Sequence, residues 1–160
     1  MDEAAALRAE QAEVHEALDA IDHARHRVDE ALDRLRTART LGTFDTWFGG
    51  GLFTSWVKRD EMDRADVSMR GVDQALATVR RELADIGVEE PLGGVSTSRL
   101  HRSLDLWFDN IISDLDTQGR IKDAAGRVEA LASALTTVRS RLDDRSRDLA
   151  ARLAALQPEA

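Results

Sequence analysis

Asp45, Asp105 and Lys58 are the residues of this sequence best placed to do chemistry. Each aspartate stands two residues before a Trp-Phe pair, in Phe44-Asp45-Thr46-Trp47-Phe48 and in Leu104-Asp105-Leu106-Trp107-Phe108. Two equivalent carboxylates and an ammonium converging in a half-buried aromatic setting would have shifted pKa values and could act as an acid–base dyad. Joined by Asp109 or Asp114, the carboxylates would make a metal site. The competing reading is structural: each Asp accepts from backbone amides and caps the turn carrying its Trp-Phe, with Lys58 as an ion-pair partner. Identical spacing in both copies favours capping, because an acid–base pair needs two different environments. The sequence therefore names Asp45, Lys58 and Asp105 as a polar network, with no catalytic residue and no metal ligand among them.

Two further patterns invite chemistry. Gly49-Gly50-Gly51 precedes a helical pattern, where free amides and the helix dipole attract anions. Its spacing fits neither the Walker nor the dinucleotide fingerprint, and its flanks are aromatic. A tight turn that lets two helices approach closely explains the glycines more simply. His23 and His26 stand i,i+3 beside Asp19, Asp22 and Glu30, a spacing that could hold a metal on one helix face. In the heptad frame both fall away from the apolar seam, so exposed side chains are expected. His15 and His101 have no partner at ligand spacing.

The elements that must position these residues are helical. Leu7, Val14, Ile21, Val28 and Leu35 recur every seven residues, with Ala17, Ala24, Ala31 and Ala38 as a second row. This predicts a first helix over 3–41, interrupted on its seam by Arg25 and Arg39 and stopped at Leu41-Gly42. Residues 42–51 form a Gly/aromatic tip. A second helix over 52–86 carries Met62, Ala65, Met69, Val72, Leu76, Val79, Leu83 and Ile86 in a 3-4 alternation. Pro91, Gly93 and Gly94 mark an extended linker over 87–98. A short helix over 99–108 and a long one over 110–156 follow.

The tip-and-helix unit occurs twice. Asp45-Thr46-Trp47-Phe48 matches Asp105-Leu106-Trp107-Phe108 at an offset of 60, and Ala75–Arg80 matches Ala134–Arg139 at 59. The three Trp and four Phe all fall in the two tips: Phe44, Trp47, Phe48, Phe53 and Trp56, then Trp107 and Phe108. The expected fold is all-α: an elongated bundle of three long helices with a short extra helix, an aromatic tip and an internal repeat. A linker climbing back along the rod would bring both tips to one end, sparing the cost of two exposed aromatic clusters.

Residues 42–65 resemble the tip motif of uncharacterised bacterial all-helical, coiled-coil-like proteins. The matching positions are Asp45, Gly49 to Gly51, Lys58, Met62, Asp63 and Ala65, and Leu104 to Asp114 is similar to the second segment of those proteins. The likeness covers about residues 40–125. In that family the Asp usually follows Trp directly, whereas here Phe44 precedes Asp45. The resemblance implies the fold and carries no assigned activity.

Composition narrows the function. The 160 residues carry a net charge of −8 with both signs interspersed, and no Lys/Arg run could track a phosphate backbone. Without cysteine there is no thiol chemistry and no disulfide, which fits a reducing cytoplasm. Met1-Asp2-Glu3-Ala4 lacks the basic and apolar regions of a signal peptide, and no stretch is apolar enough to span a bilayer. No cofactor motif and no small-molecule site is evident. The expected function is a non-catalytic helical interaction or scaffold protein that binds a protein partner or itself through Trp47, Phe48, Phe53, Trp56, Trp107 and Phe108. One alternative is a peripheral membrane protein inserting these rings, against which the acidic balance argues. Another is the carboxylate–lysine site described above. Ring burial discriminates the first two readings, and convergence of Asp45 with Asp105 the third.

Overall fold

The computed structural model describes residues 3–47, 52–86 and 118–156, with side chains at 3–37, 64, 67–86 and 125–156. Three helices account for almost all of them: α1 (Glu3–Trp47), α2 (Leu52–Asp85) and α3 (Gln118–Ala155). No strand occurs among the described residues. At a rise of ~1.5 Å per residue the helices span roughly 68, 51 and 57 Å. The fold is an all-α bundle of three long helices.

α1 is the shared helix. Both α2 and α3 pack along it, and they meet each other only marginally. Residue pairings fix the directions. Against α2, a Cβ at Gly71 would meet the Arg27 side chain, and Arg81 feels the charge of Glu16. Against α3, Arg152 faces Glu3, Arg139 faces Asp22 and Glu129 faces Arg36. Numbers rise on one helix as they fall on the other in both cases. Each partner therefore runs antiparallel to α1, and α2 and α3 are parallel to one another. It follows that α3 begins at the end of the rod where α1 stops. This is the direction that a linker climbing back along the rod requires.

The described core is wholly aliphatic. Val14, Ala17, Ile21, Ala24, Val28 and Ala31 of α1 are fully buried, as are Val72, Leu76 and Val79 of α2 and Val128, Leu135 and Leu149 of α3. Burying each large side chain contributes about 1.5–3 kcal/mol. The alanine row has a mechanical role, since a methyl group there lets two flanking helices close on one. Arg25 interrupts the row of Leu18 and Leu32 as expected. It keeps its guanidinium at the surface, 3.5 Å from Asp22. His23 and His26 are exposed.

One boundary differs from the sequence reading. α1 passes through Gly42 and ends at Trp47, six residues beyond the expected stop. Glycine permits a left-handed cap without imposing one. Inside a helix it costs only about 1 kcal/mol relative to Ala, which the additional helical hydrogen bonds offset. α2 matches its expected span, with Ile86 in a closing turn bonded to the Glu82 carbonyl at 3.4 Å. The expected linker, short helix and first residues of the last helix, 87–117, lie outside the described residues.

Candidate functional site

The extension of α1 changes the setting of the candidate residues. Asp45 and Trp47 lie on the last turn of α1, and Phe53, Trp56 and Lys58 on the first two turns of α2. The backbone thus gathers five of the nine candidates at the α1–α2 junction. Phe48, Asp105, Trp107 and Phe108 lie outside the described residues, as do Gly49 to Gly51. Contact between the two aromatic segments, expected from the sequence, falls outside them too.

The capping role expected of Asp45 rests on its side chain, which lies outside the described residues. An N-cap residue flanks a helix with non-helical dihedrals and offers its side chain to the following free amides. Asp45 stands inside α1, where the amides that follow belong to the same helix. The last turn of α1 contains no basic residue, the type that the helix dipole favours at that end.

Counting in sevens along the continuous helices gives these positions a register. Gly42 continues the buried Leu7–Leu35 row, and Asp45 continues the row of Ala17, Ala24 and Ala31. Lys58 continues the row of Val72 and Val79. At this end of the rod the seam positions change from aliphatic to a glycine, a carboxylate and an ammonium. Reading the first helix as ended at residue 41 hides the positions of Gly42 and Asp45, because the heptad count is then abandoned one repeat too early.

Away from the junction the polar groups form a ladder between α1 and α3. Arg139 donates to Asp22 through Nε at 2.6 Å and Nη2 at 3.1 Å, and to Asp143 at 2.5 Å. The Arg139 hydrogen bond holds the Asp22 carboxyl below its usual range, against a smaller opposing effect of burial. The same bond raises the Arg139 guanidinium. Arg145 donates to Glu10 at 2.9 Å through Nε, and Arg152 lies 3.9 Å from Glu3. Glu3 and Glu10 extend the alanine row of α1, while Arg145 and Arg152 extend the Leu131–Val138 row of α3. Two ion-pair layers therefore continue these rows toward the end of the rod where α1 begins, interleaved with buried Leu7 and Leu149.

Ser146 and His15 meet at 3.3 Å (Oγ to Nε2), a pairing that superficially suggests a nucleophile and its base. The setting does not support catalysis. Both are mid-helix residues whose neighbouring amides are committed to helical bonds, leaving no oxyanion donors, and the contact is exposed. Sequence spacing could not reveal this contact, since 131 positions separate the residues. On α2, the largely buried Glu82 carboxylate accepts from Arg81 at 2.7 and 3.1 Å. Among the described residues no three His, Asp or Glu side chains are arranged to hold a metal ion.

No family model, curated protein or solved structure matches this chain. Function must be argued from the molecule itself. Among the described residues, no helix is long and apolar enough to cross a membrane.

Proposed function

We propose that this protein is a non-catalytic helical interaction protein: a rod that binds a protein partner, or another copy of itself, through the aromatic residues at one end. The supporting observation is where the apolar side chains go. Along the described rod they are consumed by the core, and the only exposed large hydrophobic residues are Val67 and Leu156. Single exposed apolar residues of this kind are ordinary on any surface. The aromatic side chains lie outside the described residues, and the sequence concentrates them instead of spreading them along the seams. All seven belong to 44–56 and 107–108, and the positions of Trp47, Phe53 and Trp56 on the last turn of α1 and the first turns of α2 support this reading. Large, rigid aromatic side chains are the type that anchors protein interfaces. The cysteine-free composition suits a reducing cytoplasm.

Site-specific photo-cross-linking in cells tests this reading. A photoreactive residue at Thr54, on the first turn of α2, should give discrete protein adducts, and one at exposed Ser140 of α3 should give none. Adducts from Ser140 alone would move the interface to the flank of the rod. Co-sedimentation with anionic vesicles, abolished by Trp56→Ala, would replace the protein partner with a lipid surface.

A further inference from the structure

We propose that α3 is an exchangeable arm, so that two copies of this chain associate by each docking its α3 on the other's α1. The inference concerns the flank of the rod and stands independently of what the aromatic end binds. Its occupant is a second copy, and three observations select it.

The first is packing. α3 is held by α1 and meets α2 only marginally, so its departure leaves the α1–α2 hairpin intact. The second is reach. Residues 87–117 join the end of α2 to the start of α3, which lies at the opposite end of the rod. With 87–98 extended and the rest helical, as the sequence predicts, that length reaches roughly 65 Å, against about 50 Å along α2. It can therefore serve either its own α1 or that of a neighbour lying alongside. The third is recognition. α1 presents Glu3, Glu10 and Asp22, α3 answers with Arg152, Arg145 and Arg139, and Arg36 with Glu129 reverses the polarity near the other end. A helix must carry arginines at this spacing beside its apolar seam to replace α3, and another copy supplies that pattern. The exchanged dimer is two-fold symmetric, repeats every α1–α3 contact and needs no new one. Concentration therefore sets the balance between the two forms.

Complementary charge reversal tests the proposal in the full chain. One variant carries Glu10→Arg and Asp22→Arg, and the other Arg139→Glu and Arg145→Glu. Alone, each sets like charges across the α1–α3 interface and should melt below the parent. Mixed one to one, with one copy isotopically heavy, they should give a complex of one copy each, near twice 17.7 kDa, with a restored melting temperature. Only exchange restores both interfaces at once. A four-fold variant carrying all the changes pairs within itself and should behave as the parent does. Should the separate variants not fold, co-expression with two different affinity tags gives the same readout. Variants as stable as the parent, or a mixture that remains two monomers, would overturn the proposal.

Discussion

Gly126 stands within α3, exposed, and a Cβ built on it meets no atom within 4 Å. Its backbone is ordinary helix, so the missing side chain brings no structural gain and only lowers helix propensity. Gly126→Ala should stabilise the protein by about 0.8–1 kcal/mol, partly by restricting the unfolded chain. Gly71→Ala makes a paired case on α2. Its Cβ would lie 3.7 Å from Arg27 Cδ, an ordinary van der Waals contact with an aliphatic stem, so the gain should be equal or slightly larger. The sites are on different helices without a shared partner, so the double substitution should add to roughly 2 kcal/mol. For a chain of this size that raises the melting temperature by about 4–8 °C. Urea unfolding followed by far-ultraviolet circular dichroism measures the effect, with an unchanged slope as the check on two-state behaviour. An unchanged or lowered midpoint for Gly126→Ala would refute the reasoning. It would show that α3 needs glycine there, for a bend or for a partner that approaches its backbone.

Four other outcomes are expected. Leu76→Ala, at a fully buried seam position, should cost about 2–5 kcal/mol, whereas Leu156→Ala at the exposed end should stay within about 0.5 kcal/mol; reversed urea midpoints would contradict the register. A double-mutant cycle on Glu10→Ala and Arg145→Ala should return a coupling of about 0.5–1 kcal/mol that shrinks in molar salt; zero coupling at low salt would remove this layer of the ladder. Asp22 has a depressed folded-state pKa, so its contribution is present above its unfolded value near 3.8 and is lost as pH falls through the folded one. Asp22→Asn should therefore lower the midpoint at pH 7 and converge on the parent in strong acid; a deficit that persists there would not be electrostatic. Cysteines replacing Phe48 and Phe108 should form a disulfide within one chain, because α3 starts at the end where α1 stops; efficient links from position 48 to residues near 85 instead would place the second aromatic segment elsewhere.

The seams were legible in the sequence because burial in a long helix follows a count of sevens. Val14, Ile21 and Val28, or Val72, Leu76 and Val79, have no other use for their positions than to face a neighbour. The end of α1 was not legible, because Gly42 has the form of a terminal glycine and local propensity cannot reveal what tertiary packing will sustain. That single boundary also hid the register of Gly42 and Asp45. The pairing of Glu10 with Arg145 was half-visible. Each helix shows a charge seven residues from another on an otherwise apolar row, but opposing rows can be aligned only when the partner and its direction are known. His15 with Ser146 and Asp22 with Arg139 belong to the same class, joined by the fold across more than a hundred positions.

The sharing of α1 by two partners has a consequence for how the molecule opens. The hairpin of α1 and α2 closes over a short segment, whereas docking α3 must first close a much longer one, so the hairpin should assemble first and α3 last. Opening should run in the opposite order. In native-state hydrogen exchange, amides of α3 such as those near Leu135 should be released at a lower free energy than those of α1 near Ile21. Detaching either flanking helix still leaves α1 covered by the other. Its central amides should therefore exchange only when the whole chain unfolds, making α1 the helix that reports global stability.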